Sequence, residues 1–524
     1  MGRNFGSALG KNLLYKKRQL TIYPTMKFKI LTIVGLFFCP IIAQAQNNAQ
    51  ALISHLNVLF RTKSAETIKD DLSVGFSIAA YTRPSAEGML KTILQRYACD
   101  SVQLKNEIKT ADGIQLTIMP FNKGKAGKES GVYVDSDYKL RYIDIFDQLY
   151  GMNRYKKSLL VAKIPFEVQD GSIILTVKVN NSQRPLKLLF DTGADGMAIT
   201  KSLADSVGIK ATRQQGTSVV GGNMQISVSE GNTIQLDTFV LKNQRFALFP
   251  EMHKGSDDII GNSIAKNYIT KVDFDKKELY LYNFGDYQYN DQGTSVPVSL
   301  PAGLFIIPGE VSVMPGQANA GEFVFDTGAS YNLICFRPFV KKNKLLVSGF
   351  KPEYNGTTTS MGMSTPTYSG KAAAFSFANM PKLTNFPVTL MAGGGQSENW
   401  NPGFDGSIGI RTIGRYNFTI NMQKKEIHFV PNHTLNFPND FVLGAYLFGF
   451  DQDGKLKLLS IVAPVEGETI KAGQVIEDID GVATSVLLKD SKKMLLVLEA
   501  PSGKTFKISY TVNGEKQNIS ITKK

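Results

Sequence analysis

The sequence predicts a mainly β protein with a two-lobed β region, a small α+β domain before it and a small β-rich domain after it. Three observations carry this. Leu186-Lys187-Leu188-Leu189-Phe190 and Glu322-Phe323-Val324-Phe325 each end in three apolar residues and run into Asp-Thr-Gly-Ala, at Asp191–Ala194 and Asp326–Ala329. At ordinary residue frequencies one Asp-Thr-Gly falls about once in several thousand positions, so two after apolar strand ends mark an internal repeat. From about residue 158 the chain turns to short strands between Gly, Asn and Asp turns, and 524 residues are too many for one core.

The net charge of +14 is uneven. Residues 1–45 carry Arg3, Lys11, Lys16, Lys17, Arg18, Lys27 and Lys29 with no acidic residue, which leaves 52 basic against 45 acidic residues elsewhere, a net of +7. No dense basic stripe interleaved with aromatics is present, which argues against a nucleic-acid partner. Met26-Lys27-Phe28-Lys29, the mostly apolar Ile30–Ile42 and Ala43-Gln44-Ala45 have the layout of a secretory signal peptide cleaved after Ala45. Residues 26–45 are therefore read as the signal and 1–25 as an upstream extension, with no transmembrane helix expected after cleavage. Cys39 follows the bulky Phe38, where a lipoprotein signal has a small residue, so lipidation is disfavoured. Only Cys99 and Cys335 remain, in different expected domains, so cores rather than disulfides hold the protein. No Cys/His spacing suggests a metal, and no cofactor is expected.

Residues 46–157 read as a small α+β accessory domain. Ala51–Phe60 and Ala86–Ala98 have helical spacing, and Gln115–Pro120 and Lys139–Phe146 alternate as strands around the loop Asn122–Gly131. Residues 158–435 hold the two lobes, about 158–290 and 291–435. Tyr268–Leu279 and Tyr416–Ile427 repeat a strand, a Lys-Lys turn and a strand 148 residues apart, while the Asp-Thr-Gly turns lie 135 apart. Each lobe also has an Ile-Gly step, Ile259-Ile260-Gly261 and Ser407-Ile408-Gly409, and a glycine-bearing hairpin tip, Val219–Asn223 and Met361–Ser364. Such tips suit a mobile cover over a cleft, or are plain exposed turns.

Two carboxylates held within hydrogen-bonding distance share one proton, because two like charges in a poorly solvated cleft repel. One then serves as base on a water while the other, protonated, polarises a carbonyl. Gly193 and Gly328 permit the sharp turns that would present Asp191 and Asp326 to each other, and Thr192 and Thr327 would lock the turns through their hydroxyls.

On these residues, 158–435 resembles the retropepsin-like and pepsin-like aspartic proteases. The resemblance implies Asp191 and Asp326 as the catalytic pair, with a peptide or protein as substrate and the site assembled within one chain. It also implies substrate contacts at Gly193, Gly328, Asp195 and the hairpin glycines Gly221 and Gly222. Ala194 and Ala329 follow the glycines as in retroviral enzymes. Pepsin-like enzymes carry a hydroxyl there that lowers the pair's titration, so this pair is expected to lose its last proton at higher pH. No tyrosine stands at the tip Val219–Asn223, and Ser407 replaces an apolar residue.

Residues 438–524 contain Gly473–Gly481, a strand into an Asp-Gly turn, which resembles a PDZ domain. Its peptide-binding loop would be Tyr446-Leu447-Phe448-Gly449-Phe450, which lacks the family's first glycine; the terminal carboxylate of a peptide is the implied ligand. The whole layout looks like bacterial exported proteases with a C-terminal PDZ domain, which implies a periplasmic, outer-surface or secreted location. The rival function is a peptide-binding pseudoprotease, against which both carboxylates stand. Serine and zinc hydrolase motifs are absent.

Overall fold

The structure, a computed structural model, describes residues 48–250, 252, 258–467 and 470–524. The expected signal peptide and upstream extension lie outside them. Between the two lobes runs a six-stranded antiparallel sheet. Its order is Thr294–Pro297, Glu426–Pro431, Tyr416–Asn421, Ile269–Asp273, Glu278–Tyr282, Leu160–Pro165. The two repeated hairpins therefore lie side by side at its centre, with Thr270 opposite Ile420 and Val272 opposite Phe418. Reading the order from either end gives the same pattern of lobe-entry strand and hairpin, which is an approximate two-fold.

Each lobe sheet uses the same strand order. In the first lobe β1 (Leu186–Phe190), β2 (Arg213–Val219), β3 (Gly222–Leu236) and β4 (Asp258–Ile260) correspond to β5 (Asn319–Phe325), β6 (Pro352–Ser360), β7 (Met363–Phe377) and β8 (Gly406–Ile408) in the second. The period-2 pattern sets the facing of β1: Leu186, Leu188 and Phe190 are fully buried while Lys187 turns outward to Glu167. Beneath β5, Phe325 packs edge-on to Phe418 of the central sheet, with ring centroids 5.0 Å apart. β5 is thus seated on an aromatic floor.

The N-terminal region has its own apolar core under a five-stranded sheet, with helices Ala49–Thr62, Ser85–Arg96 and Asp144–Leu149. The sequence pattern missed the long strand Ser101–Thr110, whose outer half is exposed on both faces, so it carries no apolar alternation. Lys139–Phe146 is a strand only to Ile143 and then becomes a helix. The second Lys-Lys turn meets this region: the half-buried Lys425 donates to the Gly75 carbonyl, and Arg154 donates to the Gln423 carbonyl while pairing with the buried Asp147 at 2.6 Å.

The C-terminal region forms a separate sheet and core. β9 (Phe441–Leu443) and β10 (Tyr446–Phe450) make a hairpin, and β10 also pairs with β11 (Leu456–Ile461). This corrects the expected peptide loop. Tyr446, Leu447 and Phe448 are strand residues paired on both edges, so their backbone leaves no edge for a peptide to add to. The region is tied to the second lobe by a near-buried cluster. Asp440 pairs with both Nε (2.9 Å) and Nη2 of Arg411 and accepts from Asn332 Nδ2 at 3.1 Å. Arg415 binds the carbonyls of Leu435, Phe437 and Pro438.

Asp440→Ala leaves the Arg411 guanidinium buried without its counter-ion, and denaturant unfolding of the full chain is expected to show a loss of about 3–5 kcal/mol. Asp440→Asn, which keeps one acceptor, should cost less.

Candidate active site

The two Asp-Thr-Gly turns are built by identical backbone contacts. β1 pairs in parallel with β4, Leu189 opposite Ile259, and β5 with β8, Val324 opposite Ser407. The Asp191 amide then donates to the Ile260 carbonyl and the Asp326 amide to the Ile408 carbonyl, both at 3.0 Å. The glycine of each Ile-Gly step has a steric cause. A Cβ on Gly261 would overlap the Gly196 carbonyl, and one on Gly409 the Tyr331 carbonyl.

Across the two-fold, the Thr192 amide donates to Thr327 Oγ1 and the Thr327 amide to Thr192 Oγ1, each at 3.0 Å. The same hydroxyls donate onward, Thr192 to the Phe325 carbonyl at 2.6 Å and Thr327 to the Phe190 carbonyl at 2.7 Å. Both threonines are fully buried. This exchange brings Asp191 and Asp326 into a hydrogen bond with each other. Each carboxylate also accepts from the glycine amide of its own turn, Gly193 at 2.8 Å and Gly328 at 3.1 Å. A Cβ on Gly193 or Gly328 would strike the opposite carboxylate, so both glycines are required for the approach.

The pair sits at the floor of a cleft of about 1540 Å³ between the lobes. Burial, followed by the charge of Asp326, raises Asp191 well above the usual carboxylate range. Asp326 is also raised by burial, but hydrogen bonds from Ser407, Asp191 and the amides of Gly328 and Ala329 oppose the shift. Ala194 and Ala329 offer no hydroxyl, yet Asp326 does receive one. Ser407 Oγ donates to its Oδ2 at 2.9 Å, from the strand behind the turn rather than from the turn itself. Asp191 has Ile259 at the matching place, which cannot donate.

Of the other expected site residues, Asp195 lines the cleft rim and pairs with Lys266 Nζ at 2.5 Å. Gly221 lies in the tip turn of the β2–β3 hairpin and Gly222 opens β3 opposite Val219, and both are buried rather than exposed. Next to them Val220 packs on the second lobe among Ile334, Phe336, Met391 and Trp400, and Trp400 Nε1 donates to Ser218 Oγ at 3.0 Å. The β6–β7 tip reciprocates, with Met361 packed on the first lobe against Ala198, Ile226 and Phe249. Both hairpins therefore cross above the carboxylates onto the opposite lobe. Sequence reasoning did not single out Trp400, Phe336 or Tyr331, all cleft-lining, and did not expect Ser460, Ile461 and Val462 of the C-terminal region to line the cleft as well. Among the described residues no group of His, Cys, Asp and Glu is placed to hold a metal ion, and no helix is long and apolar enough to cross a membrane. Cys99 and Cys335 are buried and unpaired with each other.

Residues 175–264, which contain the first Asp-Thr-Gly turn and its Ile-Gly step, match the family model described as aspartyl protease. The chain is also similar to the aspartic proteinase from Irpex lacteus, a solved crystal structure, at 14% identity and a TM-score of 0.33, over 53% of this chain and 98% of that one. No curated protein matches.

The reciprocal threonine bonds are open to a direct test. Thr192→Val keeps the shape but leaves the buried Thr327 amide without its acceptor and the Phe325 carbonyl without its donor. Denaturant unfolding should show a loss of about 3 kcal/mol. Thr327→Val is expected to cost a similar amount because its partners are the mirror set.

Proposed function

We propose that the chain is an exported aspartic endopeptidase. The observation that carries this reading is the hydrogen-bonded pair Asp191 and Asp326, one from each repeated turn, at the floor of a cleft deep enough for an extended peptide. One chain supplies both carboxylates, so a single copy suffices for a site.

In the singly protonated pair the carboxylate takes a proton from a water, whose oxygen attacks the peptide carbonyl carbon. The protonated carboxyl gives its proton to the carbonyl oxygen, and a tetrahedral diol forms. The newly acquired proton then passes to the amide nitrogen as the C–N bond breaks, and a diol hydroxyl returns a proton to the other carboxylate. No covalent intermediate is needed. Asp195 at the rim and the hairpin backbones above are placed to hold the peptide chain. The C-terminal region, through Ser460, Ile461 and Val462, contributes to substrate choice and not to the chemistry. Export rests on the basic start, apolar run and Ala43-Gln44-Ala45; mass spectrometry of the secreted protein should find Gln46 at its N-terminus.

Asp191→Asn and Asp326→Asn should each lower cleavage of a denatured protein by at least about a thousandfold with the fold retained. Activity needs one proton on the pair: below the first titration there is no base, and above the second no acid. Since Asp191 is raised well above the ordinary carboxylate range, the alkaline fall comes at a correspondingly raised pH, giving a bell centred at mildly acidic pH. A folded wild-type protein that binds peptides yet cuts none between about pH 3 and 8 would be the pseudoprotease instead.

A further inference from the structure

The second lobe carries a side-chain hydrogen bond to its aspartate that its twin lacks. Strand register makes Ser407 on β8 the counterpart of Ile259 on β4, since each lies opposite the residue two before the catalytic aspartate, Val324 and Leu189. Tyr331 and Gly196 are likewise counterparts, five residues after Asp326 and Asp191, and each puts its carbonyl against the Ile-Gly glycine. Ser407 is buried, and its hydroxyl donates to Asp326 Oδ2 at 2.9 Å.

A serine hydroxyl has one proton to give and two lone pairs to accept with. An ionised Asp326 can only accept, so the serine proton goes to it. Such a hydroxyl donor binds a negative oxygen more strongly than a neutral carboxyl.

We propose that Ser407 is a positioning residue that holds the negative charge of the singly protonated pair on Asp326, leaving the shared proton on Asp191. Resting on the protease reading above, this assigns the roles. Asp326 is the base that takes the water proton, and Asp191 is the acid that protonates the carbonyl oxygen.

The surroundings leave this bond in control. Beside the two carboxylates, Tyr331 is pushed well above the ordinary phenol range by burial and by the pair's charge, so it stays neutral. The other nearby acids are turned to different partners: Asp258 on β4 to the Thr200 amide at 3.0 Å, Asp405 before β8 to the Glu322 amide at 2.9 Å, and Asp195 to Lys266.

The bond to Ser407 is present in both the singly protonated and fully charged pair, and weak in the fully protonated one. Removing it therefore raises the first titration and spares the second. In the full chain, Ser407→Ala should move the acid limb of kcat/KM for a peptide upward by about one pH unit, with the alkaline limb in place, so the bell narrows. Ser407→Thr should restore the limb.

A readout independent of turnover is the carboxyl carbon titration of selectively labelled aspartate by NMR, assigned with Asp191→Asn and Asp326→Asn. Asp326 should lose its proton first in the wild type, and Ser407→Ala should raise that step. If the wild type cuts peptides but Ser407→Ala leaves the acid limb unmoved, or moves both limbs together, the role of Ser407 is wrong while the protease reading stands. If the wild type cuts nothing yet the titration shows the expected step, the protease reading falls and the charge placement on Asp326 stands. Asp191 losing its proton first would overturn the proposal in either case.

Discussion

The structure depends on the exchange of two hydrogen bonds between Thr192 and Thr327. Each threonine amide is buried and finds its acceptor in the other lobe, so neither turn is satisfied until the lobes meet. Leaving one such amide unpaired in an apolar setting costs more than a usual surface hydrogen bond contributes. The carboxylates are carried by these same turns, one residue away. Their separation is therefore set by buried backbone geometry and not by side chains reaching across solvent. The aromatic floor of Phe325, Phe418 and Phe429 keeps the turns from sinking, and the two glycines keep them from being held apart.

The repeat was legible because its signal is local. Three apolar residues before an Asp-Thr-Gly, and an Ile-Gly step after, can be read from neighbours in the chain. The part played by Ser407 was not legible. It appeared only as a departure from the apolar pattern, and its contact depends on strand register over 81 residues of chain. Tyr331 was hidden for the same reason. The loop expected at Tyr446–Phe450 failed differently. Gly444-Ala445 is a two-residue hairpin turn between Leu443 and Tyr446, with Gly444 at φ +60°, so the apolar run beyond it is pinned as a strand. The glycine lay just before the stretch that was being read for one.

Where backbone carbonyls cross closely, the two lobes remain alike, as at Gly261 and Gly409. They diverge where side chains meet regions outside the repeat. Of the two Lys-Lys turns, Lys277 reaches Asp453 in the C-terminal region at 3.3 Å, whereas Lys425 reaches Gly75 in the N-terminal one. A single ancestral hairpin thus serves two different docking surfaces. The exposed pair with Asp453 contributes little, while burial lowers the titration of Lys425 to about 8.

The crossed hairpins have a consequence for what can enter. With Val220 seated on one lobe and Met361 on the other, the space above Asp191 and Asp326 is roofed as well as walled. The geometry works as a sieve for chain conformation. An extended strand is thin and keeps its backbone groups free to pair, whereas a helix is about 10–12 Å across with its side chains and has none to offer, so a roofed cleft favours the strand. Under the proposed protease reading, a segment of the target comes free of its own fold before it reaches the carboxylates, so the rate of cutting would report how readily that happens.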